Sequence, residues 1–462
     1  MARSLPLEIL EQIFSYHPES LTAYACVCRQ WQVAAEAFTF ADLHIDSASL
    51  EDFRRIVASP HSVSRYFYIR SLYFKIILPD YSVAARSQYE NQDDRDGNNK
   101  VFTQAIKGLF ESLSSWPNYD GYEVLLQIYA KSPSDWQSEE DWVTRRARQQ
   151  RGHAFPEQEL LHRRYESSYL QLMEKVALPD VKCITSLKVM GCDALRNIAP
   201  GAVSVMVIHL PRLETINAKL RDKEKKATEM TDSLGSDFSV ISWPRSLRHL
   251  QLRYEAKPPY SENCSTPLTT GPNSVCLSLY QLTQQLESVD LFQIMISPES
   301  FWPVDASNTT PFWPTLRKFV ASCTYAPADG YSPLNGCLKL DKDSSPVSQH
   351  DSVEASDNQE QSQFRQLLIK NMDEVFLAAG RAAQHMPKLS LMEIDIGTFF
   401  LPDSRYSFMY DASSGTATWT TSSEFCISNE VRDAWDIAAQ GHGHGHCQIC
   451  MEVLSADSSL SP

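Results

Sequence analysis

The chain has 462 residues, of which 43% are hydrophobic, and a formal net charge of −15 at pH 7. That length allows two or three folded units, and that hydrophobic share can fill their cores, which excludes a largely disordered chain. The acidic balance argues against a main role in gripping nucleic-acid phosphates, which takes a basic face, and suits work through protein partners.

The opening MARSLPLEILEQIF lacks the pattern of a secretory signal, because Pro6, Glu8, Glu11 and Gln12 interrupt its apolar positions. No stretch approaches the roughly 18 apolar residues of a membrane span, so no membrane contact is expected and the location is expected to be cytoplasmic or nuclear. The 11 cysteines are odd in number and scattered. In a reducing compartment Cys26, Cys28, Cys183 and Cys192 read as small buried hydrophobes rather than as a disulfide framework.

Pro6 suits the first turn of a helix, where its missing N–H costs nothing. Leu7, Leu10, Ile13 and Phe14 then fall at helical spacing, with Ile9 widening the stripe and Glu8, Glu11 and Gln12 facing out. His17-Pro18 ends this helix; a second apolar series runs through Leu21, Tyr24, Ala25, Val27, Cys28 and Trp31, and a third segment from Val33 to about Phe38. Three short helices are too small to bury a full core alone. Either a partner covers them or they cap the following domain, and the pattern by itself leaves the two even.

The residues themselves are more specific. Leu5-Pro6-Leu7-Glu8-Ile9-Leu10, Ile13-Phe14, Leu21 and Val27-Cys28-Arg29-Gln30-Trp31 closely resemble the F-box motif in order and spacing, with His17-Pro18 standing where many members carry Leu-Pro. The resemblance implies binding to a Skp-type adaptor that links to a cullin. The implied contact residues are Leu5, Pro6, Leu7, Ile9, Leu10, Ile13 and Phe14, with Val27, Cys28 and Trp31. Some of these must instead hold the three helices together, and Trp31 serves core or interface equally well.

Beyond the helices, alternation around Phe40, Leu43 and Ile45, and again around Ile69, Leu72 and Phe74, predicts two short strands. Residues 88–100, QYENQDDRDGNNK, read as a loop, Val101–Trp116 as a helix and Val124–Tyr129 as a strand. Ser138–Arg164, with Arg145, Arg146, Arg148 and Arg151 close together, reads as a solvated helix or loop, a docking patch for an acidic target being the minority reading.

From about residue 180 a loose repeat appears. Ile184-x-x-Leu187-x-Val189 recurs from Leu213, Leu247, Leu286, Leu316 and Leu389, at start-to-start spacings of 29, 34, 39, 30 and 73 residues. Pro211, Pro244, Pro314 and Pro387 precede several copies. The spacing is longer and less regular than in ordinary leucine-rich repeats. Each copy is expected to supply a strand to a shared core that neighbours complete, with helices at Val275–Gln284 and Phe364–His385. Asp222–Asp237, Ala256–Asn273 and Asp341–Gln363 have compositions too polar to offset the cost of ordering. The expected fold class is therefore α/β, a short three-helix F-box followed by an irregular leucine-rich-repeat-like solenoid. The expected division is 1–45 F-box, 46–180 linking region, 181–440 repeat-like recognition domain and 441–462 Gly/His-rich tail with a closing strand.

A second resemblance covers Ala378-Ala379-Gly380-Arg381-Ala382-Ala383, Met386-Pro387-Lys388-Leu389, Phe408-x-Tyr410, Thr418-Trp419 and Ala434-Trp435, with Leu109-Phe110, Trp116 and Ser132-Pro133-Ser134-Asp135 upstream. It is similar to a group of filamentous-fungal F-box proteins, and it says nothing about a target.

Candidate chemistry is sparse. His442, His444, His446, Cys447 and Cys450 could offer soft and borderline metal ligands, but a structural zinc site wants two ligand pairs held apart by a folded loop. No Gly-x-Ser-x-Gly elbow or phosphate-cradling loop occurs, so no catalytic residue, metal or cofactor is assigned. Trp302, Phe312 and Trp313 are candidate partner anchors that are more often core. The expectation is a non-catalytic substrate-recognition subunit of an SCF-type (Skp, cullin, F-box) ubiquitin ligase with an unknown target protein and no nucleic acid. The alternatives are a scaffold acting outside ubiquitination, a repeat protein merely capped by its N-terminal helices and, most distantly, a hydrolase in the C-terminal half.

Overall fold

A computed structural model describes residues 5–16, 21–57, 65–117, 123–135, 160–161, 163–165, 168–173, 176–190, 196–222, 243–256, 274–294, 296–303, 310–324, 369–370, 372–397, 405–421 and 426–453. The chain divides into two compact units, residues 1–220 with 242–247 and residues 221–241 with 248–462. No helix among the described residues is long and apolar enough to cross a membrane.

The first unit starts with α1 (Leu7–Tyr16), α2 (Leu21–Ala25) and α3 (Arg29–Ala41). Trp31 and Val33 thus share one helix, which starts after Cys28 because that residue is extended and leaves the preceding turn. β1 (Asp42–Asp46) follows α3 directly, and α4 (Leu50–Val57), β2 (Ser71–Ile77), α5 (Gln92–Ser114), β3 (Val124–Lys131), β4 (Ile184–Met190), α6 (Pro200–Ile208) and β5 (Thr215–Asp222) complete the unit. The strands lie parallel in chain order. Their register explains the repeat: Leu43, Leu72, Leu126, Leu187 and Ile216 are successive Cα partners, and so are Ile45, Phe74, Ile128, Val189 and Ala218. The ladder expected from Ile184 onward therefore already runs from β1. From Leu72 to Val189 these positions are almost completely buried, each contributing about 1.5–3 kcal/mol for a large side chain.

Residues 92–100, read as loop, are the first turns of α5. The Asn91 side chain accepts from the Asp94 N–H at 2.8 Å, and Asp93 and Asp94 sit at the positive end of the helix. Composition hid a capped helix start. Of the Arg-rich segment, 138–159 lies outside the described residues, while Arg164 is only 2% exposed and its Nη2 sits 2.8 Å from Asp94.

A buried ionic cluster fastens these connections. Arg196 and Glu90, side chains 1% and 0% exposed, pair through the guanidinium Nη1 and Nη2, at 2.5 and 2.8 Å. Asn98 and Ser168 also donate to Glu90, and the Arg196 guanidinium lies 4.0 Å above the Tyr165 ring. Asp135 accepts from the hydroxyls of Tyr81 and Tyr165 and from the Ser132 N–H, while burial pushes its carboxyl above the ordinary value. The cluster ties together residues up to 106 positions apart, and one partner left alone would be a buried charge.

In the second unit, β6 (His249–Ala256), α7 (Ser274–Thr283), β7 (Ser288–Ile294), β8 (Lys318–Thr324), helix α8 (372–383) and β9 (Leu391–Gly397) continue the parallel pattern. The repeat positions again align: Leu250 with Val289, Val289 with Phe319, and Phe319 with Met392. The expected helices appear as α7 and α8, although 364–368 lies outside the described residues. So do the three polar gaps, apart from Asp222 and Ala256, which end strands. The pattern then changes: β10 (Arg405–Asp411) and β11 (Thr416–Thr421) are antiparallel additions joined by a tight turn. Gly415 takes φ +67° there, and Asp411 accepts from the Ser413 N–H at 2.8 Å. α9 (Asn429–Gly441) returns the chain and β12 (Gln448–Val453) adds in parallel beside β11, the closing strand anticipated for the tail. The small residues around Gly380 have a packing reason. A Cβ on Gly380 would stand 3.1 Å from both Ala434 Cβ and Trp435 Nε1 of α9.

Candidate functional site

The N-terminal helices enclose a very small core of Leu10, Phe14, Ala34 and Ala35, each at most 1% exposed, with Ile13, Leu21, Tyr24, Ala25 and Trp31 packed partly against it. Phe14 stacks on Tyr24 at 5.0 Å and meets Trp31 edge-on at 5.6 Å. These contacts divide the residues the sequence had grouped together. Leu10 and Phe14 hold the helices to one another, and Ile13 and Trp31 are half-buried at the margin.

The others face outward. Leu5 is 39% exposed, Ile9 41% and Val27 61%, and Pro6 and Cys28 are exposed as well. Leu7 lies in α1, with its side chain outside the described residues. The Gln30 side-chain amide donates to the Leu5 carbonyl, so the start of α1 is tied to the turn that carries Val27 and Cys28. The hydrogen bond thus joins two exposed apolar segments twenty-odd residues apart in sequence. The exposed Val33 and Phe38 were not singled out as contacts from the sequence, although Phe38 touches the Phe14 ring edge at 6.0 Å. Val33, one residue before Ala34, is turned off the core face, whereas Phe38 follows Ala34 and Ala35 by four and three residues on that face and stays exposed at its margin.

Several contacts tie these helices to the strands that follow. The Ala41 carbonyl, at the end of α3, accepts from the Arg70 N–H at 2.8 Å. Arg65 reaches Glu36 on α3 at 2.8 Å and lies 5.2 Å from the Phe40 ring centre. Burial would raise the Glu36 carboxyl, but hydrogen bonds from Arg65 and Gln32 outweigh it and hold the group below its ordinary value. Helix, salt bridge and strand are therefore joined within this unit.

Other candidates resolve differently. Cys26 and Cys28, read as buried, are exposed on the turn before α3; Cys183 is buried and Cys192 lies outside the described residues. Cys26, Cys28, Cys183, Cys276, Cys426, Cys447 and Cys450 are free thiols. In the Gly/His segment, His442 Nδ1 is 2.8 Å from the Tyr410 hydroxyl and Nε2 3.0 Å from the Met386 carbonyl. His444 Nε2 is 2.8 Å from the Ala412 carbonyl, and burial pushes the Cys447 thiol up to about 11. These groups close the end of α9 onto the sheet. Among the described residues no group of three or more His, Cys, Asp or Glu is placed to hold a metal ion. Trp313 is core, donating from Nε1 to Thr283 at 3.0 Å, whereas the neighbouring Phe312 is 53% exposed.

Residues 362–461 match a family of unknown function (DUF6546), which covers the hairpin, α9 and β12. No curated protein and no solved structure matches the chain. Residues 2–40 match the F-box-like family, and those are the residues that form the three helices and their exposed apolar surface. The chain therefore carries an F-box-like domain at its N-terminal end.

Proposed function

We propose that the protein is the substrate-recognition subunit of an SCF-type ubiquitin ligase, cytoplasmic or nuclear and without chemistry of its own. Its F-box-like helices bind a Skp-type adaptor, and through it a cullin, while the leucine-rich-repeat-like region of parallel strands, read as an open solenoid, holds a target protein. The observation that carries this reading is the coincidence of the F-box-like match with an exposed apolar surface at Leu5, Ile9 and Val27 that the small core leaves over. Buried Leu10 and Phe14 then have a supporting part, fixing the helices that present the contact. The continuity of α3 into β1 supports a positioning mechanism, because a rigid mount raises the effective concentration of a bound target near the charged enzyme. Similarity of the C-terminal motifs to filamentous-fungal F-box proteins belongs to the same reading.

Co-purification of the full chain with a Skp-type adaptor and a cullin tests it. A stable ternary complex is expected. An adaptor complex that never recruits a cullin would favour a scaffold outside ubiquitination, and no adaptor binding would leave helices that only cap the sheet.

A further inference from the structure

The second unit ends in a strand with one open side. Among the described residues β12 pairs with β11 alone, and its register runs unbroken from Gln448 beside Thr416 to Val453 beside Thr421. The Gln448 N–H donates to the Gly415 carbonyl at 2.9 Å. That bond aims the backbone of Gln448 at β11, and by alternation the backbones of Cys450 and Glu452 as well. The N–H and C=O groups of Ile449, Met451 and Val453 therefore point to the open side. No Pro, Lys or bulge, the devices that keep an edge from pairing, interrupts the strand.

The same three residues leave the core unfinished. Ile449, Met451 and Val453 are Cα partners of Ala417, Trp419 and Thr421, which are 0%, 0% and 2% exposed, so they lie on the sheet face that carries the core. Trp419 is enclosed there by Phe376 and Phe408. Yet Met451 is 41% exposed, Val453 69%, and Ile449 half-buried. On the opposite face Glu452 sits 3.3 Å from the Thr420 hydroxyl, beside β11. Open backbone groups and uncovered apolar side chains on one strand are both answered by one kind of occupant, a further strand.

We propose that β12 pairs antiparallel with β12 of a second copy of the chain, with the two-fold axis at Met451. Self-complementarity selects that occupant. In this register Met451 faces its own counterpart and Ile449 faces Val453, so the residues whose backbone points outward are the ones that exchange N–H···O=C bonds. The apolar side chains of both copies then share the core-bearing face, and Cys450 stands opposite Glu452, so no like charges meet. A slip of one residue would set Ile449 against Glu452 and put the two apolar sets on opposite faces. Two chains of −15 repel at long range, so the pairing strengthens as salt screens them. It uses none of the F-box-like helices and does not rest on the ligase reading.

Sedimentation equilibrium of the full chain tests the pairing. The expected result is a mass that doubles as the concentration rises from about 1 to about 100 μM, with the transition at lower concentration in higher salt. Met451→Pro removes an N–H that faces the open side and none that bonds β11, and Met451→Lys sets two cations together on the axis. Each should weaken association about tenfold or more, and the urea midpoint of Met451→Lys should stay at the wild-type value. In hydrogen exchange the amides of Ile449, Met451 and Val453 should gain protection with concentration, while those of Cys450 and Glu452 are protected throughout. Under mild oxidation Met451→Cys should form a disulfide from position 451 to position 451, identified by peptide mapping. A single-chain mass at every concentration and salt would leave the edge to another occupant and overturn the proposal. Association unchanged in both Met451 variants, or cross-links of Met451→Cys only to other positions such as Cys426, would overturn it as well.

Discussion

The N-terminal helices and the parallel strands of the first unit bury their apolar residues in opposite ways. On β2 and β3, Leu72, Phe74, Ile76, Leu126 and Ile128 are all 0% exposed, and the other face is largely polar. The helices bury Leu10, Phe14 and two alanines but leave Leu5, Ile9, Val27, Val33 and Phe38 between 37% and 61% exposed. A lone exposed hydrophobe means little, but five within one small helical unit are the kind of apolar surface that partners cover. The strands are self-sufficient, and the helices are unfinished.

The comparison can be broken first at the strands' own fastening. Arg196→Ala leaves the Glu90 carboxylate buried without its cation and should cost about 3–5 kcal/mol. Hydrogen exchange should then rise around residues 84–98 and 196–198, with little change in α1. Phe14→Ala removes the centre of the helical core and should cost about 3 kcal/mol there. Exchange should rise across α1 to α3 while β3 and β4 stay protected. An equal rise in both regions would show that they unfold as one and erase the contrast. Gly380→Val in the second unit should cost about 1–3 kcal/mol, read as a lower urea midpoint by tryptophan fluorescence, because its side chain must displace Ala434 or Trp435.

Smaller effects sharpen the distinction. Ile9→Ala should change stability by about 0.5 kcal/mol or less, since the side chain is already 41% exposed in the isolated protein. The Glu36–Arg65 bridge gives a pH signature. A carboxyl held below its ordinary value of 4.5 adds stability above that pH and loses it as the pH falls through the lower folded value. Exchange protection of α3 should therefore decline below about pH 4.5, and Glu36→Gln should flatten that decline.

What was legible in the sequence was whatever depends on local period. Leu213-x-x-Ile216-x-Ala218 and its relatives placed the strands because alternate residues must face one core, and the register shows equivalent positions side by side. The F-box-like segment was legible from its order of residues, but not which of them face out, because that depends on how three helices meet around Phe14. The start of α5 was missed because QDDRDGNN has poor helix formers, and what sets it is a cap at Asn91. The Glu90–Arg196 pair was invisible because nothing local relates residues 106 positions apart. Nothing local in the Gly-His run shows that His442 and His444 close it onto α9 and the sheet through three hydrogen bonds.

The most direct test of the account is calorimetric titration of a Skp-type adaptor into the full chain and into a Leu5→Ala, Ile9→Ala, Val27→Ala variant, with exchange protection of α1 to α3 measured on both. The account predicts binding by the wild type and about hundredfold weaker binding by a variant whose helices remain protected, since three exposed apolar contacts are removed without touching Leu10 or Phe14. Equal affinity for the two proteins, or no binding by the wild type, would contradict it.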